Sequence, residues 1–221
     1  MTIRPGETWG VPEEAPADVL WQTTDRGLGR ELDGPVSASL GIRGGDLVRI
    51  TGHTTTAITL RAPIDVLRVR FVEEGTHEIR STHAVSWIQI GSWWSRSDFF
   101  VCSNTGLVDG VEWFPRAHPN DGFLDGATIN SEMPLRQRFL ARRRILKGAS
   151  YAHPLIRMVR GTRHQWSGPA TSLVVDGERI ARVTAADIEV IPDAISVYIG
   201  SPSTPAEGPK PKIARCDGVH P

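Results

Sequence analysis

Between Ala57 and Ile90, and again between Gly148 and Ile199, apolar residues follow a β-rich, often alternating pattern that turn residues interrupt every few positions. Alternation at period two puts one face of each strand in a core, so such a chain must bury sheet against sheet or sheet against helix. Ile58–Leu60 and Val66–Phe71 read as strands with Pro63 at a bend between them, and Glu73-Glu74-Gly75 reads as a turn. His77–Ile90 is a further β-rich run. Leu173–Val175 leads into Asp176-Gly177, a hairpin dipeptide because both positions tolerate positive φ. Ile188–Ile191 and Ile195–Ile199 predict a closing hairpin around Pro192-Asp193-Ala194. The fold class expected is α+β, mostly β, with an antiparallel β-sandwich as its body.

The N-terminal part has a different pattern. Met1–Pro16 is polar and proline-rich and reads as an extended arm that Trp9 can anchor. Val19–Gln22 predicts a strand, and Asp25 can cap a short helix reaching Leu32 that Gly27 and Gly29 weaken. After the Gly34-Pro35 break, Val36–Ile42 predicts a second strand, Arg43-Gly44-Gly45-Asp46 a glycine turn, and Leu47–Ile50 a short helix. A glycine turn at a helix start can cradle phosphate, because unpaired backbone N–H groups and the helix dipole point at the anion.

Val101–Gly126 holds the polar groups most suggestive of a site. Asn104 and Gly106 follow an apolar run, Asp109-Gly110 marks a tight turn, and Trp113-Phe114 leads into Pro115–Gly122. The prolines and glycine of that last segment exclude a continuous helix or central strand. Irregular loops on a rigid scaffold are where binding and catalytic groups concentrate.

The pattern Pro115-x-Ala117-x-x-x-Asp121-Gly122, followed by Asp125, resembles the signature loop of the diacylglycerol kinase and sphingosine kinase group of lipid kinases. Cys102-Ser103-Asn104 resembles that group's Asn-bearing strand, and Leu173–Glu178 its strand ending in Asp-Gly-Glu. Leu40–Arg49 resembles its Gly-Thr-Gly-Asn-Asp stretch at Gly44, Asp46 and Arg49, with Gly45 in place of the Asn and Arg43 in place of the Thr. The resemblance runs from Pro35 to Ile199 and is best over Val101–Gly126 and Lys147–Ile199. It implies Asp121 as general base in an active protein, nucleotide or phosphate contacts at Gly44, Gly45, Asp46 and Arg49, and a cleft at Asn104, Pro115, Ala117, Gly122 and Glu178. It also implies ATP and magnesium if the kinase activity is retained. The clustered carboxylates Asp121, Asp125 and Glu178 suggest a magnesium site of hard oxygen ligands. The group's Gly-Gly-Asp-Gly-Thr motif is not in the chain, and phosphoryl transfer depends on positioning and neutralising the phosphates. The expected organisation is an arm over 1–18, a truncated α/β remnant of a nucleotide-binding domain over 19–53, a lipid-kinase-like β-sandwich over 54–200, and a disordered tail over 201–221.

Ser131–Leu146 is the best helix candidate, capped by Ser131, with Leu135, Phe139, Leu140 and Leu146 as an apolar stripe. Arg136, Arg138, Arg142, Arg143, Arg144 and Lys147 line it with no acid between, so Arg136, Arg142, Arg143 and Lys147 are candidate membrane or anion contacts. The nearby Trp93-Trp94 pair could face a ligand or membrane; one Trp packed inward and one covering the sheet edge is the simpler arrangement.

A formal net charge of zero argues against a nucleic-acid partner. The seven histidines lack helical metal-site spacing, and Cys102 and Cys216 make no disulfide framework. No apolar run approaches the roughly 20 residues that span a bilayer, so a cytoplasmic, at most peripherally membrane-associated protein is expected. Three functions fit: a lipid-kinase relative without competent ATP binding that holds a ligand or a protein partner, an active lipid kinase completed by an unfamiliar loop or another chain, and a peripheral membrane or assembly module. The group's self-association makes a homo-oligomer a further expectation.

Overall fold

The computed structural model describes residues 9–36, 38–51, 59–95, 97–147 and 153–200. The start of the arm, the expected tail, His53, His220 and Cys216 lie outside them. In chain order the elements begin with β1 (Val11–Pro12), β2 (Leu20–Gln22), α1 (Asp25–Glu31), β3 (Leu40–Ile42) and α2 (Asp46–Ile50). The body follows with β4 (Leu60–Glu73), β5 (Ile79–Ala84), β6 (Trp87–Ile90), β7 (Phe99–Ser103), β8 (Leu107–Val108), β9 (Val111–Glu112) and β10 (Leu124–Ile129). It closes with α3 (Leu135–Ile145), β11 (Ile156–Gly161), β12 (Arg163–Val175) and β13 (Glu178–Ile199).

Among the described residues one sheet runs in the order β1-β4-β13-β12-β6-β7-β10-β11, with β5 also on β4 and β2-β3 joined to β13. The body pairs antiparallel throughout and forms the mostly-β sandwich expected, whereas β2-β3 and β3-β13 pair parallel. β3 is hydrogen-bonded to the end of β13, Val197–Ile199 against Leu40–Ile42, so a boundary near residue 53 divides one continuous sheet.

Two local expectations are corrected. Pro63 does not bend the chain between two strands; it lies inside β4, opposite Ser196. On its other side β4 pairs with β1 up to Arg61 and with β5 from Leu67, so Pro63 falls in the gap where no ladder needs its missing N–H. Its carbonyl faces that gap and accepts from the Trp9 indole N–H at 2.8 Å. Pro192-Asp193-Ala194 does not turn a hairpin either. Ile188–Ile191 and Ile195–Ile199 both pair with β4, and the extra residues form an irregularity with Asp193 at φ 49°.

Helix α3 starts at Pro134 with no side-chain cap, so Ser131 does not cap it. Its inward residues are Arg138 and Ala141, and the predicted stripe of Leu135, Phe139, Leu140 and Leu146 is exposed. Arg138 determines this rotation. Its fully buried guanidinium donates to the carbonyls of Met133, Trp93, Ser95, Ser97 and Asn130, at 2.7–3.4 Å. Trp93 is buried and donates its indole N–H to the Arg138 carbonyl at 3.0 Å, while Trp94 is exposed.

Three apolar clusters fill the body. One lies among β4, β5, β6, β7, β10, β12 and β13 and includes Phe100, Leu124 and Ile188. A second joins Leu28, Ile42, Leu47 and Val48 of the N-terminal part to Ile64, Val66, Val197 and Ile199. The third, with Trp93, Phe99, Phe114 and Met133, lies beneath α3.

Candidate functional site

The site is built where two short crossings meet the irregular loop. At the β2–α1 turn, Thr24 caps α1 by accepting from the Gly27 N–H at 3.0 Å. Thr24 therefore caps this helix, and Asp25 is free to reach across to α2. Buried Asp25 accepts from the Asp46 N–H at 2.6 Å and the Leu47 N–H at 3.3 Å. A side chain on Gly45, which sits at φ 90°, would meet the Asp25 carboxyl at 2.5 Å. Burial, then the charges of Asp176 and Asp46, push the Asp25 carboxyl up to about 8 despite those two backbone donors. Asp176 is pushed up as well, by burial, although the N–H groups of Val85, Ser86 and Trp87 all donate to it.

Asp46 joins this crossing to the next strand pair. One of its oxygens accepts from Arg49 and from the Gly110 N–H, each at 2.9 Å. Gly110 is the second residue of the Asp109-Gly110 turn, where both φ angles are positive. Burial raises the Asp46 carboxyl, and its other oxygen is buried without a hydrogen-bond partner among the described residues.

The Pro115–Gly122 loop is held from below by Asp65, a fully buried carboxylate in an otherwise apolar part of β4. It accepts from the Gly122 N–H at 2.6 Å, from the Asp193 N–H at 2.8 Å and from the Asn120 amide at 3.4 Å. Buried Asn104 adds a tie from its amide N–H to the Asp65 carbonyl at 2.7 Å. His118 packs edge-on against Trp9, with ring centroids 5.2 Å apart, and burial lowers its affinity for a proton. Between this loop and α2 lies a cavity of about 370 Å³ whose wall includes Trp9, Arg49, Ile50, Thr105, Glu112, Phe114, Pro115, Ala117 and His118.

The structure thus brings Arg49, Pro115 and Ala117 to one cavity, with Asn104 buried nearby and Gly122 serving the loop's attachment. It does not assemble the magnesium site. Arg160 lies between Asp121 and Asp125, at 2.9 and 2.7 Å, and Glu178 is held by Arg26 and Arg30 at 2.6 and 2.5 Å. No cluster of three or more metal-binding side chains exists among the described residues. Asp121 has its second oxygen on the Phe123 N–H, at 2.9 Å. The basic residues Arg136, Arg142, Arg143 and Lys147 belong to α3 and its C-terminal end and take no part in the cavity.

Sequence reasoning missed Arg160 and the reach of Asp25. The available signal for Arg160 was cross-strand pairing, since it stands directly opposite Asp125 in the β10–β11 register.

Residues 92–199 match the family described as YegS C-terminal NAD kinase beta sandwich-like domain. The fold is similar to that of a diacylglycerol kinase from Bacillus anthracis str. Sterne, at 12% identity and TM-score 0.55 over 81% of this chain and 74% of that one. A protein of the same organism provisionally named a diacylglycerol kinase gives 14% identity and TM-score 0.57 over 81% of this chain and 76% of that one. No curated protein matches by sequence.

Proposed function

We propose that this chain, whose residues 92–199 match the YegS C-terminal NAD kinase beta sandwich-like domain, is a ligand-binding relative of the lipid kinases that does not transfer phosphate from ATP. The observation that carries this is the Asp25 carboxyl group seated on the two backbone N–H groups at the start of α2. A phosphate approaching Gly44-Gly45-Asp46 would need those donors and would meet a carboxyl group in its place. The nearby unpartnered oxygen of Asp46 is also an acceptor, and the cation beside it, Arg49, is paired with Asp46. This donor set does not fit a triphosphate. Asp121 and Asp125 share Arg160, which occupies the position a magnesium ion would need.

The cavity between α2 and the loop suits a small amphiphile. Trp9, Ile50, Phe114 and Ala117 offer apolar contact, and Arg49 and Glu112 offer polar ends. The test is thermal unfolding with a short-chain diacylglycerol and, separately, with ATP and magnesium. A ligand at a hundredfold excess over its Kd stabilises by about 2.7 kcal/mol. The expected result is a raised Tm with the lipid, none with the nucleotide, and no ATP-dependent phosphorylation of diacylglycerol. Phosphorylation that Asp121→Asn abolishes would overturn this reading in favour of an active kinase with Asp121 as base.

A further inference from the structure

The rotation of α3 leaves a surface that its sequence alone does not predict. With Arg138 and Ala141 turned inward, helical periodicity sends Leu135, Phe139, Leu140 and Leu146 outward. Each is between 40% and 51% exposed, as is the neighbouring Trp94 at 49%. Apolar groups exposed together rather than singly mark an interaction surface.

Arg136, Arg142 and Arg143 are exposed on the same helix and Lys147 just beyond it, and no acidic residue lies between Leu135 and Lys147. Arg142 stands over the Trp94 ring at 5.7 Å, and Phe139 lies 6.4 Å from the same ring. Cations and apolar side chains therefore interleave on one face, although the whole chain carries no net formal charge. Trp94, Arg142 and Leu146 also form the rim of a cavity of about 260 Å³ that Trp93 and Trp113 help to wall.

We propose that this face docks on an anionic lipid bilayer. A bilayer surface meets both demands at once: the leucines, Phe139 and Trp94 enter the headgroup–acyl boundary, and the guanidinium groups stay at the level of the lipid phosphates. A second copy of the chain fits less well, because a two-fold contact through this face sets cations against cations. The proposal is independent of what the cavity beside α2 binds and of whether the protein transfers phosphate.

The test is flotation of the full chain with phosphatidylcholine vesicles that contain or lack phosphatidylserine. Binding is expected to the anionic vesicles, with weaker binding as salt rises. Arg136→Gln combined with Arg143→Gln should weaken partitioning roughly fivefold per cation, following the usual contribution of a surface-bound cation. Phe139→Ser should weaken it with only a small change in melting temperature, since that side chain is half exposed and packs on the surface Trp94 rather than in the core. Trp emission should shift to the blue on vesicles, and Trp94→Phe should remove most of that shift. Absence of flotation with anionic vesicles at low salt would overturn the proposal. So would unchanged binding by the double arginine variant, or concentration-dependent self-association in vesicle-free buffer that Phe139→Ser abolishes, which would assign the face to a second copy.

Discussion

Arg138 shows how one residue can override the pattern around it. A guanidinium has five donors and no acceptor, and here they meet backbone carbonyls from two connecting segments, the one before β7 and the one before α3. Removing it takes that donor from the carbonyls of the buried residues Trp93 and Met133, while the Asn130 carbonyl keeps the Met133 N–H at 3.0 Å. Arg138→Met is expected to cost about 3 kcal/mol or more, and Arg138→Lys most of that, since a point-like ammonium cannot fork to so many acceptors. Urea midpoints of the two variants would check both values. Asp25 makes a second prediction at this scale. A carboxyl whose folded pKa lies above its unfolded value of 3.8 binds more protons in the folded state, so its contribution to stability falls as pH rises from about 4 through about 8. The stability of the native chain minus that of Asp25→Asn should therefore fall across this window, by more than the about 1.4 kcal/mol that one pKa unit represents. Parallel denaturant titrations at several pH values measure that difference directly, whatever constant offset the amide introduces.

At the scale of elements, the turns and strands were the legible part. Asp109-Gly110 and Asp176-Gly177 sit in hairpin turns with positive φ at both positions, and the glycine turn before α2 lies where the sequence puts it. What the sequence concealed was non-local. Pro63 looks like a bend until β1 and β5 are seen to leave a gap beside it, and Pro192–Ala194 looks like a turn until β4 is seen to continue past it. The apolar stripe of α3 was read by period alone, and period cannot report that unsatisfied carbonyls beneath the helix claim an arginine. The carboxylate cluster was misread for the same reason, because its compensating cation, Arg160, arrives from a neighbouring strand. Asp65 is the element-scale counterpart of Arg138: one acceptor gathers β4, the loop and the β13 irregularity. Asp65→Ala should cost about 2–4 kcal/mol through the N–H groups it strands. Amide exchange should speed up at Gly122 and Asp193 ahead of the rest of the sheet. Equal protection at those amides in the variant would remove Asp65 from that role.

At the scale of the whole molecule, β13 decides whether the N-terminal part is an appendage or a part of the body. The strand pairs with β12 and β4 over most of its length and then, at Val197–Ile199, with β3. The second apolar cluster crosses the same seam: Leu28, Ile42, Leu47 and Val48 pack on Ala62, Ile64, Val66 and Ile199. A fragment beginning after residue 53 would uncover that face of β4 and leave the end of β13 without its parallel neighbour. Burying a large aliphatic side chain contributes about 1.5–3 kcal/mol, so losing several partners together is comparable to the about 5–15 kcal/mol by which an ordinary domain is stable. The full chain is therefore expected to unfold in one transition with matching calorimetric and van't Hoff enthalpies. The 54–200 fragment should be insoluble or lack a cooperative melt. Amides of Leu40–Ile42 should exchange with the same protection as Val197–Ile199, because both report opening of one ladder. A fragment that melts cooperatively near the temperature of the full chain would instead make residues 19–53 a dispensable addition. The Asp25 carboxyl group would then sit on α2 without support from the sheet, and nothing in the fold would hold it closed over the N–H groups of Asp46 and Leu47.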